Sequence, residues 1–265
     1  MKVGILIDVT RCVACERCVE ACLGRHHIDS SKAMRERSEY NDGLSAYRFC
    51  SIIKAAEGRF ARKSCMHCLE PSCVSACLVG SLTKTPDGPV VYDTSKCIGC
   101  RYCMLACPFH IPRYEWDKLN PLMAKCDMCA ERIEKGQIPA CVEACPKGAL
   151  QFGNRDKLLA EAQARIRNNP EGYINHIWGE KEFGGTSVLY ISDVDLSMLG
   201  WPEYIPRSIP SLTEPLVHST PFIGMSVAIG LVGLNWIIKR RNKLFEENNP
   251  GHAKETENQK DVENE

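Results

Sequence analysis

Net charge is absent from this chain, because its 33 lysines and arginines are matched by 33 aspartates and glutamates. That balance gives no reason to expect nucleic acid as a partner, which would need a cationic face. No dinucleotide fingerprint, pterin-binding domain or acid–base pair suited to a cleft occurs, so no substrate of its own is expected. The opening MKVGILIDVTRC has no charged n-region leading into a long apolar core, and it has no twin-arginine pair. A removable leader is therefore not expected.

Cysteine is what the chain has in quantity, 17 in 265 residues. Disulfide scaffolds, zinc sites and iron–sulfur clusters all use this many. Disulfide frameworks belong to small chains with irregular spacing. Zinc usually takes two ligand pairs across a longer gap, often with histidine. Here the cysteines fall into groups of four. The clearest, CIGCRYCMLACP, holds Cys97, Cys100, Cys103 and Cys107 and ends in Pro108. This is the bacterial ferredoxin run for a [4Fe-4S] cluster, in which three thiolates wrap one cluster and the fourth reaches another. Proline costs nothing at the helix start that follows, where its missing N–H would have had no partner.

Three variants accompany it. The first motif is Cys12, Cys15, Cys18 and Cys22. The second is Cys65, Cys68, Cys73 and Cys77, with Pro71 in a widened gap. The fourth is Cys126, Cys129, Cys141 and Cys145, followed by Pro146. Its gap is filled by AERIEKGQIPA, expected as a helical turn and loop. Cys50 lies outside every motif and is expected to be a small buried hydrophobe. His67, inside the second motif, is expected at the surface, the alternative being a hydrogen bond that tunes a cluster.

The motifs contain a repeat. ILIDVTRC before the first resembles VVYDTSKC before the third, an apolar strand with aspartate four residues ahead of the cysteine. CLVGSL after Cys77 resembles CPKGAL after Cys145. Two motif types alternate, and a two-cluster ferredoxin module needs two motifs facing each other, so the chain should hold two modules. Spacing does not decide which motifs pair.

Beyond Leu150 the composition changes. Asp156 to Arg167 is expected as a helix with Leu158, Leu159, Ala162 and Ile166 on one face, ended by Asn168-Asn169-Pro170. Gly184-Gly185 followed by TSVLYIS is expected as a turn and a strand. Leu199 to Pro215 holds four prolines and is expected as an extended arm. Phe222 to Ile238 is uncharged and, with the residues before it, approaches the roughly 20 needed to span a bilayer. Trp236 suits the interface, Gly230 and Gly233 suit a membrane helix, and Asn235 falls near the end of the span. His218 precedes it and is expected as an ordinary interfacial histidine. Lys239, Arg240, Arg241 and Lys243 follow directly, which puts the C-terminus in the cytoplasm and the cysteine domain in the periplasm. Export in the folded state, bound to a partner that carries the leader, reconciles that location with cluster assembly in the cytoplasm. The acidic, polar final residues are expected to be disordered.

The sixteen motif cysteines, the expanded fourth motif and the later GGTSVLYIS segment resemble the iron–sulfur β subunits of membrane-bound formate dehydrogenases. Similar subunits serve periplasmic hydrogenases and molybdopterin oxidoreductases such as dimethyl sulfoxide and polysulfide reductases. The resemblance covers roughly residues 1–240. It implies an α+β fold of two 2[4Fe-4S] ferredoxin-like modules, one nested in the other, followed by a single transmembrane helix. Residues 1–25 with 120–150 would form the outer module and 60–115 the inner. An extension over 151–198, an arm over 199–217, a membrane helix over 218–239 and a tail over 240–265 complete the chain.

It further implies four [4Fe-4S] clusters. One would be held by Cys12, Cys15, Cys18 and Cys145, and its neighbour by Cys126, Cys129, Cys141 and Cys22. In the inner module Cys65, Cys68, Cys73 and Cys107 would hold one, and Cys97, Cys100, Cys103 and Cys77 the other. The expected role is a non-catalytic electron relay between a catalytic subunit, formate-oxidising molybdenum or tungsten pterin first, and a membrane cytochrome b serving quinone. The same relay in a [NiFe] hydrogenase or a quinol-dependent reductase is the alternative, and a zinc-binding structural protein a remote one.

Overall fold

The computed structural model describes residues 2–35, 40–119, 121–201 and 205–248. They fall into two units, Met1–Leu212 and Thr213–Glu265. In chain order the elements are β1 (Val3–Asp8), α1 (Arg17–Arg25), α2 (Ser30–Arg35), β2 (Cys50–Ala56), β3 (Arg59–Ser64) and α3 (Ser72–Ser75). There follow β4 (Leu82–Lys84), β5 (Val90–Tyr92), α4 (Tyr102–Ala106), β6 (Arg113–Tyr114), β7 (Met123–Ala124), α5 (Ala130–Glu134) and α6 (Ala140–Glu143). The series ends with β8 (Leu150–Asn154), α7 (Arg155–Asn168), β9 (Val188–Ile191) and α8 (Ile209–Asn248).

The run VGILID is apolar on both faces, which suits a central strand. β1 lies between antiparallel β8 and parallel β9. Its alternating side chains then serve two cores. Leu6 points to α7, where it packs with Leu158, Ala162 and Ile166. Ile5 and Ile7 join the core that holds Cys18, Cys22, Cys126 and Cys141. Helix α7 starts at Asn154, whose side chain accepts from the Lys157 N–H at 3.0 Å.

The repeated headers become repeated structure. Asp8 and Asp93 each cap a single 3-10 turn, accepting from the N–H two residues on at 3.2 and 3.0 Å. Each is also paired to the basic residue before the first cysteine, Arg11 or Lys96, at 3.2 Å. The repeated trailers match as well, with Gly80 and Gly148 left-handed at φ 62° and 59° and a strand beginning two residues later. Header and trailer then pair crosswise. β1 of the first motif pairs with β8 after the fourth, with Ile7 opposite Leu150 and the Asp8 N–H donating to Ala149. β5 of the third pairs with β4 after the second, with Tyr92 opposite Leu82 and the Asp93 N–H donating to Ser81. Helix α1 packs on α6, and α3 on α4.

Charge inside this unit is mostly paired. Asp42 takes Lys63 at 3.0 Å and Arg113 at 2.7 Å, and Asp8 takes Arg165 at 3.0 Å and the Tyr173 hydroxyl. A hairpin of β2 and β3, register Ile52 opposite Arg62, covers the cysteine core from outside the repeat.

The tract expected as an arm is in part helix. α8 begins at Ile209 and runs through Pro215 and Pro221 to Asn248, so it takes in the end of the arm and the start of the expected tail. Proline removes a backbone donor, and near Pro221 the hydroxyls of Ser219 and Thr220 bond the Leu216 carbonyl at 2.8 and 2.9 Å. Over Ile209–Phe245 the helix is long and apolar enough to cross a membrane. His218 is exposed on it, and Arg240 lies over the Trp236 ring. The rest of the expected tail, residues 249–265, lies outside the described residues.

Candidate iron–sulfur site

Each motif is a loop that must curl its thiols to a common side. The residue two after the first cysteine is left-handed in all four: Ala14, His67, Gly99 and Met128, at φ 53°, 47°, 68° and 58°. Only one is glycine, so three side chains hold a conformation that non-glycine residues disfavour. The geometry aims backbone N–H groups at sulfur. Met128 N–H donates to Cys126 Sγ at 3.3 Å and Gly99 N–H to Cys97 Sγ at 3.4 Å. Ser81 N–H donates to Cys77 Sγ at 3.2 Å, and Ala14 N–H stabilises the Cys12 thiolate.

The loops gather cysteines from distant parts of the chain. Cys12, Cys15, Cys18 and Cys145 line one cavity, together with Ile52 and Arg62. Burial pushes the Cys12 thiol up, and the nearby charges of Cys145 and Cys15 push it further. Burial takes Cys18 to about 12, with Cys141 and Cys12 adding. Cys22 is raised by its hydrogen bond with Cys50, by burial and by Cys126. Cys141 and Cys129 are both raised, mainly by burial, and Cys129 adds to the effect on Cys141.

In the middle of the chain, Cys68 is raised by burial and by Cys107, Cys65 and Cys73. Cys73 and Cys107 go up to about 12 and about 11, burial first, with Cys65 near both. Cys103 is raised by burial and by Cys97, Cys100 and Cys77, while the Tyr114 hydroxyl, 3.3 Å from its sulfur, opposes the shift.

Buried thiols that repel one another as thiolates need cationic charge among them, which iron would supply, taking the place of their protons. Among the described residues no three Cys, His, Asp or Glu side chains stand close enough to hold a single metal ion. The four-cysteine spacing of each loop is that of a [4Fe-4S] cluster.

Cys50 is fully buried, as expected, with its Sγ 3.7 Å from the Cys18 carbonyl oxygen. His67 corrects the sequence reading, because it is 1% exposed and not at the surface. Its left-handed backbone turns the ring inward, where Nδ1 accepts from the Val90 N–H at 2.9 Å. Burial drives its pKa well below the usual value, so the ring is neutral. Sequence reasoning missed Tyr114, Arg62 and Lys125. Each lies in a stretch that reads as strand or surface charge; Lys125 directly precedes Cys126, while only folding brings Tyr114 and Arg62 to the cysteines.

Cysteine loops of this spacing, with N–H groups turned onto the sulfurs, define an iron–sulfur electron carrier. Residues 56–155 match the 4Fe-4S dicluster domain. A protein of Nitratidesulfovibrio vulgaris is 40% identical over 257 residues, which cover 92% of this chain and 69% of that protein. The hydrogenase-2 operon protein HybA of Escherichia coli O157:H7 is 34% identical, over 91% of this chain and 85% of its own length. The formate dehydrogenase iron-sulfur subunit of Haemophilus influenzae is 32% identical, over 72% of this chain and 64% of its own length. The chain belongs to this family of iron–sulfur electron-transfer subunits of the formate dehydrogenase and hydrogenase type.

Proposed function

We propose that the chain holds four [4Fe-4S] clusters in two nested modules and relays electrons between a catalytic subunit and the membrane. The observation that carries this reading is the crosswise strand pairing, β1 with β8 and β5 with β4, in one register. It supports joining the first motif to the fourth and the second to the third. The outer sets are Cys12, Cys15, Cys18, Cys145 and Cys126, Cys129, Cys141, Cys22. The inner sets are Cys65, Cys68, Cys73, Cys107 and Cys97, Cys100, Cys103, Cys77. Their neighbourhoods support a linear order. Cys18 feels Cys141, Cys126 feels Cys65, and Cys73 feels Cys103. Cys15 and Cys100, in the first and last sets of that order, are exposed, which suits electron entry and exit.

When bound, each cluster takes up and releases one electron, at a potential set by hydrogen bonds to sulfur, charge and exposure. The chain supplies thiolates, N–H donors and a water-poor core, and chemistry on a substrate is left to the partner. Helix α8 anchors the relay in the bilayer beside a cytochrome b. Four basic residues after its apolar run favour a cytoplasmic C-terminus and a periplasmic cysteine domain.

For the partner, a pterin formate dehydrogenase is the first reading. A [NiFe] hydrogenase is the second, favoured by a match to HybA that covers 91% of the chain where the formate dehydrogenase subunit covers 72%. Purification from native membranes in mild detergent tests both readings. Iron for four clusters with molybdenum or tungsten and cytochrome b supports the first, and nickel supports the second. Zinc in place of iron would refute the relay.

A further inference from the structure

Arg62 is a buried cation that lacks the partner its neighbours have. It is 2% exposed, and its Nε is buried with no hydrogen-bond acceptor. One Nη1 donates to the Ser64 hydroxyl at 2.6 Å, a neutral group. Lys63 and Arg113 share Asp42, Arg165 has Asp8, and Lys125 rests on the carbonyls of Val90 and Cys126. Among the described residues no carboxylate pairs with Arg62. Burying a lone charge is costly enough that a compensating charge must be near.

The anions around it are sulfur. Arg62 lines the same cavity as Cys12, Cys15, Cys18 and Cys145. Burial alone would lower its pKa, but the thiolates of Cys141, Cys50, Cys126 and Cys18 raise it well above the usual value. Cys18 belongs to one outer set and Cys126 and Cys141 to the other, so the guanidinium lies beside the two together, and Cys50, outside both sets, accepts a hydrogen bond from it. Its place is held by β3, where Arg62 faces Ile52 across the hairpin, and by the Tyr190 hydroxyl, which donates to the Arg62 carbonyl at 2.7 Å. An arginine cannot shed this charge.

We infer that Arg62 is the fixed countercharge of the two outer clusters and holds both at a higher reduction potential than their ligands alone would set. This rests on the four-cluster reading. Each reduction brings one electron, and hence one more negative charge, next to a cation that does not move. The reduced state gains more from Arg62 than the oxidised state does, and the electron leaves unchanged when it is passed on.

The test uses the intact membrane complex, with iron analysis and redox titration followed by electron paramagnetic resonance. R62Q and R62M remove the charge, and R62K keeps it. Both neutral variants should retain full iron while two of the four cluster signals become at least tenfold harder to reduce, about 59 mV for one electron. R62K should leave those signals within threefold of the parent. Unchanged potentials in iron-replete neutral variants would overturn the inference, as would equal shifts in R62K, which would assign the effect to packing. Should neither neutral variant assemble, S64A decides, because it frees Nη1. The same two signals must then move, and their constancy would overturn the role of Arg62. Less iron than four clusters in the parent complex would instead refute the four-cluster reading.

Discussion

At the scale of single residues, the proposed relay assigns iron to the sixteen motif cysteines and none to Cys50. Cys103, with Tyr114 against its sulfur, belongs to an end set of the proposed order. Cys103→Ser should cost one cluster. Dye reduction by the catalytic subunit should survive and quinone reduction should fail, and wild-type quinone reduction would show the relay is not linear. Cys50 is as buried as any ligand, yet it touches Cys22 and the Cys18 carbonyl from outside the motif loops. Cys50→Ser should therefore leave iron content unchanged, and loss of iron on analysis would make it a ligand. The motif spacing suggests this difference, because Cys50 has no cysteine two or three residues away. His67 was not legible in the same way. Its burial follows from a left-handed backbone and from β5 behind the ring, and neither is written in the CMHC tetrapeptide.

At the scale of elements, strand β1 carries the site. It hands Asp8 to the first motif, pairs with β8 from the fourth, and accepts β9 on its other edge. Gly4 makes that close approach possible, since a Cβ there would stand 2.5 Å from the Ser187 carbonyl oxygen. Gly4→Ala should force β9 away and destabilise the cysteine unit by about 1–3 kcal/mol, the usual range for overpacking. A lowered thermal midpoint with iron lost together with the unfolding unit is the expected outcome, and an unchanged midpoint would mean that β9 is dispensable. The strand and α7 were readable from apolar runs and helical spacing. The parallel pairing of β9, from far along the chain, was not, because periodicity reports a face and says nothing of the neighbour it meets. α8 differed for a related reason. Prolines suggested an extended arm, but the helix runs through Pro215 and Pro221.

At the scale of the whole molecule, charge is balanced overall and uneven in place. Lys239, Arg240, Arg241 and Lys243 crowd one end of the apolar run. An alkaline phosphatase fused to the C-terminus, active only outside the cytoplasm, should stay inactive, and activity would reverse the proposed orientation. The sequence by itself determined the cysteine chemistry, the repeat of header and trailer, and the single apolar segment. Ligand spacing, strand alternation and apolar length are local properties, carried by residues near one another in the chain. Only the tertiary structure decided which header meets which trailer and which buried cations lie beside sulfur. Those depend on β1 pairing with β8 across more than a hundred residues while β4 pairs locally with β5, and on a desolvation cost that Arg62 incurs only once β3 has folded over the cysteines.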